Sequence, residues 1–158
     1  MDRPVGDGAD SVGSLVDDWF QVDVFVSAVD ANLGKWLTDH YGIGLTEYHA
    51  LRQLGAAPNK ELRVNELANR IGLNQSSVTR LLGRLEARSL THRETCFEDG
   101  RGVYAVITAE GETLIADAHD PYRTHLEHVL QDIARTSSAP DARTVGRALA
   151  NISRLPTP

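Results

Sequence analysis

The sequence has little cysteine, no long apolar run and no overall excess of positive charge. Cys96 is the one cysteine among 158 residues, so no intrachain disulfide can form, which fits a reducing, cytoplasmic setting. No apolar stretch approaches the ~18 residues that a membrane-spanning helix needs. Residues 1–13 lack the basic start and apolar centre of a signal peptide, and we expect them to form a flexible tail.

The motifs of common enzyme classes are also missing. The sequence has no glycine-rich phosphate loop, no HExxH and no GxSxG, and no spacing of Ser and His indicates a nucleophile with its base. His125 and His128 share one helical face, but two ligands do not make a zinc site. We therefore expect no enzymatic activity, no cofactor and no metal.

Charge is unevenly distributed along the chain. The whole sequence carries a net charge of −6, which argues against a generally basic nucleic-acid binder. Residues 63–93, however, contain six Arg and two Glu, a local charge of +4 that leaves −10 for the rest. A basic patch of this kind can bind DNA while an acidic body stays away from it.

Apolar residues spaced alternately by three and four positions predict a long helix over about residues 14–40. The repeat consists of Leu15, Trp19, Val22, Val26, Val29, Leu33 and Trp36. A second apolar set lies on other parts of the helix surface and consists of Val16, Phe20, Phe25 and Leu37. A helix that is apolar on more than one side is buried on more than one side, and a second subunit is one way to cover it.

Three shorter helices are expected next. Thr46 is a good N-cap for a helix over about residues 47–55, with Gly55 at its end. A short helix then ends at Gly72, and Asn74 caps the helix that follows it. Two short helices joined by a tight turn with glycine are typical of a helix-turn-helix, whose second helix enters the major groove of DNA.

That second helix begins in the stretch NQSSVTRLLGR, residues 74–84. One face is apolar and consists of Val78, Leu81, Leu82 and Leu85. The remaining surface carries Ser76, Ser77, Thr79, Arg80, Gly83 and Arg84. A solvated helix more often carries pairs of Glu and Lys. The surface therefore indicates either a mediocre exposed helix or one laid against a polyanion, where arginines reach phosphates or guanine.

The segments LTHRETC and VYAVIT are β-prone and flank the polar turn FEDGRG. They predict a hairpin directly after the recognition helix, which is the position of a wing. Thr108 is expected to cap a long helix in which Pro121 should cause a kink. A last helix is predicted over about residues 140–155.

With this order of elements, residues 62–115 resemble the MarR family of winged-helix transcription regulators. The resemblance rests on ELA, on SSVTRLLGRLE, on D-x-R at Asp99 and Arg101 and on T-x-x-G at Thr108 and Gly111. It implies a mainly α fold, a winged helix-turn-helix with a short β-hairpin wing and long terminal dimerisation helices. The implied parts are a tail over 1–13, an N-terminal dimerisation helix over 14–45, the DNA-binding domain over 46–107 and C-terminal dimerisation helices over 108–158.

The resemblance also implies a homodimer that binds a palindromic operator in double-stranded DNA. The helix that starts after Asn74 would read the major groove, and Arg101 would enter the minor groove with Asp99 holding it by an ion pair. The expected DNA-contacting residues are Gln75, Ser76, Ser77, Thr79, Arg80, Arg84, Arg93, Asp99 and Arg101. Family members usually have glycine where Ser89 stands, so a strained or altered helix end is expected there.

A small-molecule effector is a further implication, because family members often bind phenolic or aromatic acids in a cleft beside the dimer helices. Its candidate residues are Trp36, His40, Tyr48 and Arg52. Function is then expected to be that of a repressor released by a small aromatic or phenolic ligand. The alternative is a winged-helix module that binds protein and no DNA. Cys96 is expected to be a small buried side chain rather than a thiol sensor.

Overall fold

The computed structural model describes residues 9–96 and 102–136, which form five α helices and a three-stranded antiparallel sheet. The elements are α1 (Ala9–Tyr41), α2 (Leu45–Ala56), β1 (Glu61–Arg63), α3 (Val64–Ile71), α4 (Gln75–Ala87), β2 (Thr91–Cys96), β3 (Gly102–Ile107) and α5 (Ala109–Thr136). The predicted mainly α, winged helix-turn-helix fold is confirmed. Residues 97–101 at the predicted wing tip and the predicted helix at 140–155 lie outside the described residues.

One apolar core joins the helix-turn-helix to the long helices. It includes fully buried side chains of α1, α2, α3 and α4, among them Leu37, Leu51, Leu67 and Leu82. All four residues of the predicted apolar face of α4 are buried. Because that face is committed to the core, the remaining surface of α4 points outward.

Helix α1 divides into two halves with different surroundings. Val29, Leu33 and Leu37 are buried in the core of the same chain, with Leu33 only 3% exposed. Trp19 and Phe20, nearer the start of the helix, are 70% and 60% exposed. The apolar repeat of α1, for which a second subunit was one expected cover, is therefore covered within the same chain in its second half. α1 also begins at Ala9, five positions before the predicted start at residue 14.

The predicted ends of the second helix are wrong by two residues at the start, where the local cap lies at Gly44, and by one residue at the end, where Gly55 packs against α5. α2 begins at Leu45, before Thr46, and the Glu47 carboxylate accepts the backbone N–H of Gly44 at 3.0 Å. Gly55 lies inside α2 rather than at its end. A Cβ there would stand 2.6 Å from Ile115 Cδ1, so the glycine permits close packing of α2 on α5.

The other predicted helix caps are confirmed. Asn74 Oδ1 accepts the backbone N–H of Ser77 at 2.8 Å at the start of α4. Gly72 ends α3 in the left-handed region, with φ of 68°. Thr108 Oγ1 accepts the backbone N–H of Gly111 at 3.1 Å at the start of α5. Local capping signals therefore fixed the turn before the recognition helix correctly.

One strand of the sheet was not expected, whereas the continuation of the last described helix past Pro121 was. The short strand β1 was missed, and it pairs antiparallel with β3, with Leu62 opposite Ala105. Three residues are too few for an alternating pattern to be recognised. Pro121 lies inside α5, which continues to Thr136, so the proline does not end the helix. The kink at Pro121 stays a prediction.

Ser89 follows α4 with φ of 58°, in the left-handed region. This backbone costs a residue with a Cβ about 1–2 kcal/mol. The Ser89 carbonyl accepts the Thr108 hydroxyl at 2.7 Å, and its N–H donates to the Glu86 carbonyl at 2.9 Å, so glycine would keep both bonds. We expect Ser89→Gly to raise the free energy of unfolding by about 1 kcal/mol in urea titrations. Ser89→Ala, which retains a Cβ, should bring no such gain; an equal gain would refute the strain.

Candidate nucleic-acid interface

The candidate interface is the outward surface of α4. It consists of the exposed residues Gln75, Ser76, Thr79, Arg80, Gly83 and Arg84. Ser77, also a predicted contact, is half-buried beside the helix cap. The predicted residues of α4 are therefore brought to one surface, and small side chains dominate it.

The hydroxyl groups at the start of α4 already have partners within the helix. Ser76 Oγ donates to Asn74 Oδ1 at 2.8 Å, and Thr79 Oγ1 donates to the Gln75 carbonyl at 2.9 Å. A phosphate oxygen accepts hydrogen bonds, so either hydroxyl must rotate away from its present acceptor to bind one. These side chains are consequently weaker candidates for phosphate contacts than an arginine would be.

Arg80 lies in the middle of the interface and is exposed. Within residues 9–96 and 102–136, no carboxylate pairs with its guanidinium. A guanidinium carries five N–H donors in a planar fork that matches phosphate or the edge of guanine. Arg80 is thus the predicted contact that is best placed to reach DNA without first breaking another interaction.

Arg84, one turn further along α4, has a protein partner. Its Nε donates to Glu47 Oε1 at 2.6 Å. The Glu47 side chain is only 12% exposed, and its other oxygen accepts the N–H of Gly44. Arg84 therefore ties α4 to the first turn of α2, and its predicted DNA contact stays a prediction.

A second tie joins the end of α4 to the end of α1. Arg88 Nη2 donates to the Tyr41 carbonyl at 3.0 Å, and Nη1 donates to the carbonyl of Gly42. Gly42 itself lies in the left-handed region, with φ of 67°. We call the Arg84–Glu47 pair and the Arg88 contacts together the junction tether, because both fasten α4 to the turn between α1 and α2.

The strand β2 is also fastened to α4. Arg93 Nη2 donates to Glu86 Oε2 at 2.9 Å. The same nitrogen stands 3.9 Å from the position that a Cβ on Gly83 would occupy. Arg93, a predicted DNA contact, therefore lies against the interface rather than projecting from it.

These pairs change the interpretation of the local charge. Arg70, Arg84 and Arg93 each bind a carboxylate in the structure. The partner of Arg84, Glu47, comes from outside residues 63–93, so the surface holds a negative charge that the local count of +4 omitted. The surface therefore carries a smaller net positive charge than the count over residues 63–93 indicated.

The predicted wing contacts Asp99 and Arg101 lie outside the described residues. Cys96 ends β2, and its side chain is also outside what the structure describes, so its predicted burial stays a prediction. Of the nine predicted DNA-contacting residues, α4 and β2 carry the other seven.

The four predicted effector residues form two separate pairs. Trp36 stacks on His40, with ring centroids 4.7 Å apart, and on His125 at 4.9 Å. Tyr48 is buried against Tyr122, with centroids 4.6 Å apart. Burial raises the pKa of Tyr48, so its phenol stays protonated at neutral pH. The Arg52 guanidinium lies 5.9 Å from the centre of the Tyr48 ring.

Two of the four predicted effector residues, His40 and Arg52, line different cavities in the described chain. A cavity of about 540 Å³ between α1 and α5 is lined by His40 together with Glu110 and Asp117. Another, of about 380 Å³, lies between α2 and α3 and is lined by Arg52. Neither cavity is lined by Trp36 or Tyr48, so these two cavities do not unite the four predicted residues in one pocket.

Histidines do not form a metal centre in the described chain. Within residues 9–96 and 102–136, no three His, Cys, Asp or Glu side chains converge as a metal ion requires. His125 instead bonds to Asn32 Oδ1 at 2.8 Å. Burial, with His128 and His40 nearby, lowers the pKa of His125.

The described helices also include none with the length and apolarity to cross a membrane.

Together α3, the Gly72 turn, α4 and the β2–β3 hairpin define the class: a winged helix-turn-helix domain. Residues 41–102 match the model of the MarR family. This winged-helix part of the chain is therefore similar to that family.

The fold of nearly the whole chain is shared with solved MarR-family proteins. A regulator from Streptomyces coelicolor, solved in complex with DNA, is 22% identical with a TM-score of 0.72, over 97% of this chain and 91% of that one. A mutant E. coli MarR complexed with operator DNA is 20% identical with a TM-score of 0.69, over 90% and 96%. A Mycobacterium tuberculosis MarR family protein in complex with salicylic acid is 24% identical with a TM-score of 0.61, over 84% and 93%.

Sequence reasoning missed the two residues that hold α4 in place besides Arg84. Glu47 stands three positions after Gly44, which is the spacing of a capping box, but Gly44 has no side chain to complete one, so only half of that signal was present in the sequence. Arg88 binds backbone carbonyls at the end of α1. Every residue has a backbone carbonyl, so the sequence does not show which carbonyls accept a side-chain hydrogen bond. Nothing in the sequence therefore pointed to Arg88.

Proposed function

We propose that this protein is a cytoplasmic, sequence-specific DNA-binding transcription regulator that acts as a homodimer. The observation that carries the proposal is the outward surface of α4, where Arg80 stands exposed among small side chains. Small residues let the helix backbone approach the floor of the major groove, and the arginine reaches phosphate or a base edge. Similar folds in complex with DNA support the assignment.

The proposed dimer explains the uncovered half of α1. Its exposed large apolar side chains are Val16, Trp19, Phe20, Val22, Val24 and Val26. A second copy packed here would remove this apolar surface from water, which favours association. A symmetric dimer presents two α4 helices, and successive major grooves on one side of DNA are about 34–36 Å apart. We therefore expect a palindromic operator.

We further propose that the protein is a repressor released by a small aromatic or phenolic ligand. A similar protein from Mycobacterium tuberculosis was solved with salicylic acid, which supports this ligand class. Trp36, His40, Tyr48 and Arg52 remain the residues proposed to respond to it. Arg101 in the wing, oriented by Asp99, remains the proposed minor-groove contact.

Selection of bound duplexes from a random DNA pool by the full-length protein tests the proposal. Repeated rounds should enrich an inverted repeat whose half-sites are about one helical turn apart. Sedimentation equilibrium of the selected complex should give two chains per duplex. If no sequence is enriched and affinity is equal for all duplexes, the alternative of a winged-helix module for protein contacts becomes the better interpretation.

Gly83 provides a test in which stability and DNA affinity move in opposite directions. The atom nearest to an added Cβ is Arg93 Nη2 at 3.9 Å, so alanine fits. Alanine is favoured over glycine inside a helix, and we expect Gly83→Ala to raise the free energy of unfolding by up to about 1 kcal/mol. The added methyl group should hold α4 away from the groove floor and weaken operator binding in a gel-shift titration.

Gly34 in α1 is the matched control. An added Cβ there meets Leu45 Cβ at an ordinary 3.7 Å. Gly34→Ala should therefore stabilise the protein without changing operator affinity. If Gly83→Ala binds the operator as well as the unchanged protein, the outward surface of α4 does not approach the groove as proposed.

A further inference from the structure

The cavity between α2 and α3 has a composition suited to an anion. We call it the α2–α3 groove; its walls are formed by His49, Arg52, Gln53, Ala56, Arg70 and Ile71. Its volume of about 380 Å³ is at the lower end of the range for small-molecule sites. The lining residues include two arginines, a histidine and a glutamine together with two apolar residues, and none of them is acidic.

Arg52 is the free cation of this groove. Its guanidinium lies 5.9 Å from the centre of the Tyr48 ring, and no carboxylate within the described residues pairs with it. A ring face orients a guanidinium but leaves its N–H donors available at the edge. Arg52 is therefore positioned and still able to bind an anion.

Arg70 on the opposite wall has a partner that an anion can replace. Its Nη2 donates to Glu66 Oε1 at 2.6 Å, and the two side chains are 40% and 47% exposed. An ion pair exposed to this extent within one helix contributes under about 1 kcal/mol. A ligand carboxylate held by Arg52 as well can compete with Glu66 for this guanidinium.

His49 completes the polar wall as a neutral group. Burial lowers the pKa of His49, and the nearby Arg52 lowers it further, while Asp30 opposes both. A neutral imidazole has one N–H to donate and adds no third positive charge. Ala56 and Ile71 provide apolar contact of the kind that an inorganic ion cannot use.

We propose that the α2–α3 groove binds a small amphipathic carboxylate, with Arg52 and Arg70 on the carboxylate and Ile71 on its apolar body. The proposal rests on the proposed function, and of the four residues proposed there for the ligand, Arg52 alone lines this groove. α3 is the first helix of the helix-turn-helix, so a ligand that joins α2 to α3 acts on the element that leads into α4. The ligand changes the affinity for DNA only if it binds the DNA-free and the DNA-bound arrangements of the protein with different affinities.

Calorimetric titration of the full-length protein with benzoate, without DNA, tests the site directly. Benzoate should bind saturably, whereas benzamide, which has the same ring and no charge, should bind at least about tenfold more weakly. Arg52→Gln and Arg70→Gln should each reduce benzoate affinity by about tenfold or more. Arg123→Gln removes an exposed arginine of α5, remote in sequence from the groove, and should leave it unchanged.

Several outcomes would overturn this site. These are the absence of saturable binding, equal binding of benzamide and benzoate, or unchanged affinity in both groove variants with circular dichroism that shows them folded. Inorganic phosphate that binds as tightly as benzoate would also refute an amphipathic ligand. Duplex selection by the same preparations separates the proposals: enrichment without benzoate binding refutes the groove alone, and benzoate binding without enrichment refutes the DNA-binding function alone.

Discussion

Replacing Arg80 with alanine is expected to weaken operator binding by about 1–3 kcal/mol per subunit. For a dimer that loses both contacts, this corresponds to a loss between about 30-fold and about 2 × 10⁴-fold. The effect is large because Arg80 stands in the middle of the outward surface of α4 and has no carboxylate partner in the described chain. Its whole charge and all its donors are therefore available to DNA. A gel-shift titration at fixed salt measures the loss.

Arg123→Ala is the control for Arg80→Ala. It removes the same charge from an exposed position on α5, so it reports the effect of net charge alone. Circular dichroism should show both variants folded, because neither substitution removes an apolar contact of the core. If Arg80→Ala and Arg123→Ala lower affinity equally, Arg80 makes no specific contact and α4 is not the reading helix.

Gly111→Ala is expected to destabilise the fold, in contrast to Gly83→Ala and Gly34→Ala. An added Cβ would stand 2.4 Å from the Leu90 carbonyl oxygen and 2.7 Å from Ile107 Cγ1. The Leu90 oxygen cannot retreat easily, because it accepts the N–H of Thr108 at 3.1 Å. Overpacking of this kind costs about 1–3 kcal/mol and occasionally more. Urea titration should show a lower midpoint with an unchanged slope.

Gly83→Ala is the comparison for Gly111→Ala, since both place alanine in a helix. Helix propensity favours alanine at both positions, so any difference between them comes from the space around the Cβ. The two substitutions should therefore have effects of opposite sign on the free energy of unfolding. Equal effects would mean that α5 moves away from Leu90 at little cost.

The elements that sequence predicted well are those whose signals lie within a few residues. The cap at Asn74 bonds to Ser77, and the apolar face of α4 repeats within a few turns, so both were visible in the sequence. Gly55 was misread because the reason for glycine is Ile115 of α5, sixty positions later. β1 was missed because three residues are too few for an alternating pattern, and the strand that it pairs with, β3, lies more than forty positions away.

The candidate site was predicted less completely than the fold for the same physical reason. Spacing placed Arg80 and Arg84 on one side of α4, but it could not show that Glu47 of α2 holds Arg84. The family resemblance grouped His40 with Arg52, although His40 lines a cavity with Glu110 and Asp117, and Arg52 lines a cavity with Arg70. Helical periodicity gives the direction of a side chain, whereas the charge that it meets depends on other elements.

The junction tether has a mechanical consequence for the proposed dimer. Arg84 and Arg88 fasten α4 to the turn that follows α1. We therefore expect α1 and α4 to move together as one rigid unit. The pivot would lie at the exposed apolar end of α1, more than twenty residues from Tyr41. An α helix rises about 1.5 Å per residue, which gives an arm of roughly 30 Å. A tilt of a few degrees at the pivot would then shift the α4 helix of each subunit by ångströms along the DNA. Replacing Trp19 or Phe20 with a smaller residue should therefore alter the preferred half-site spacing.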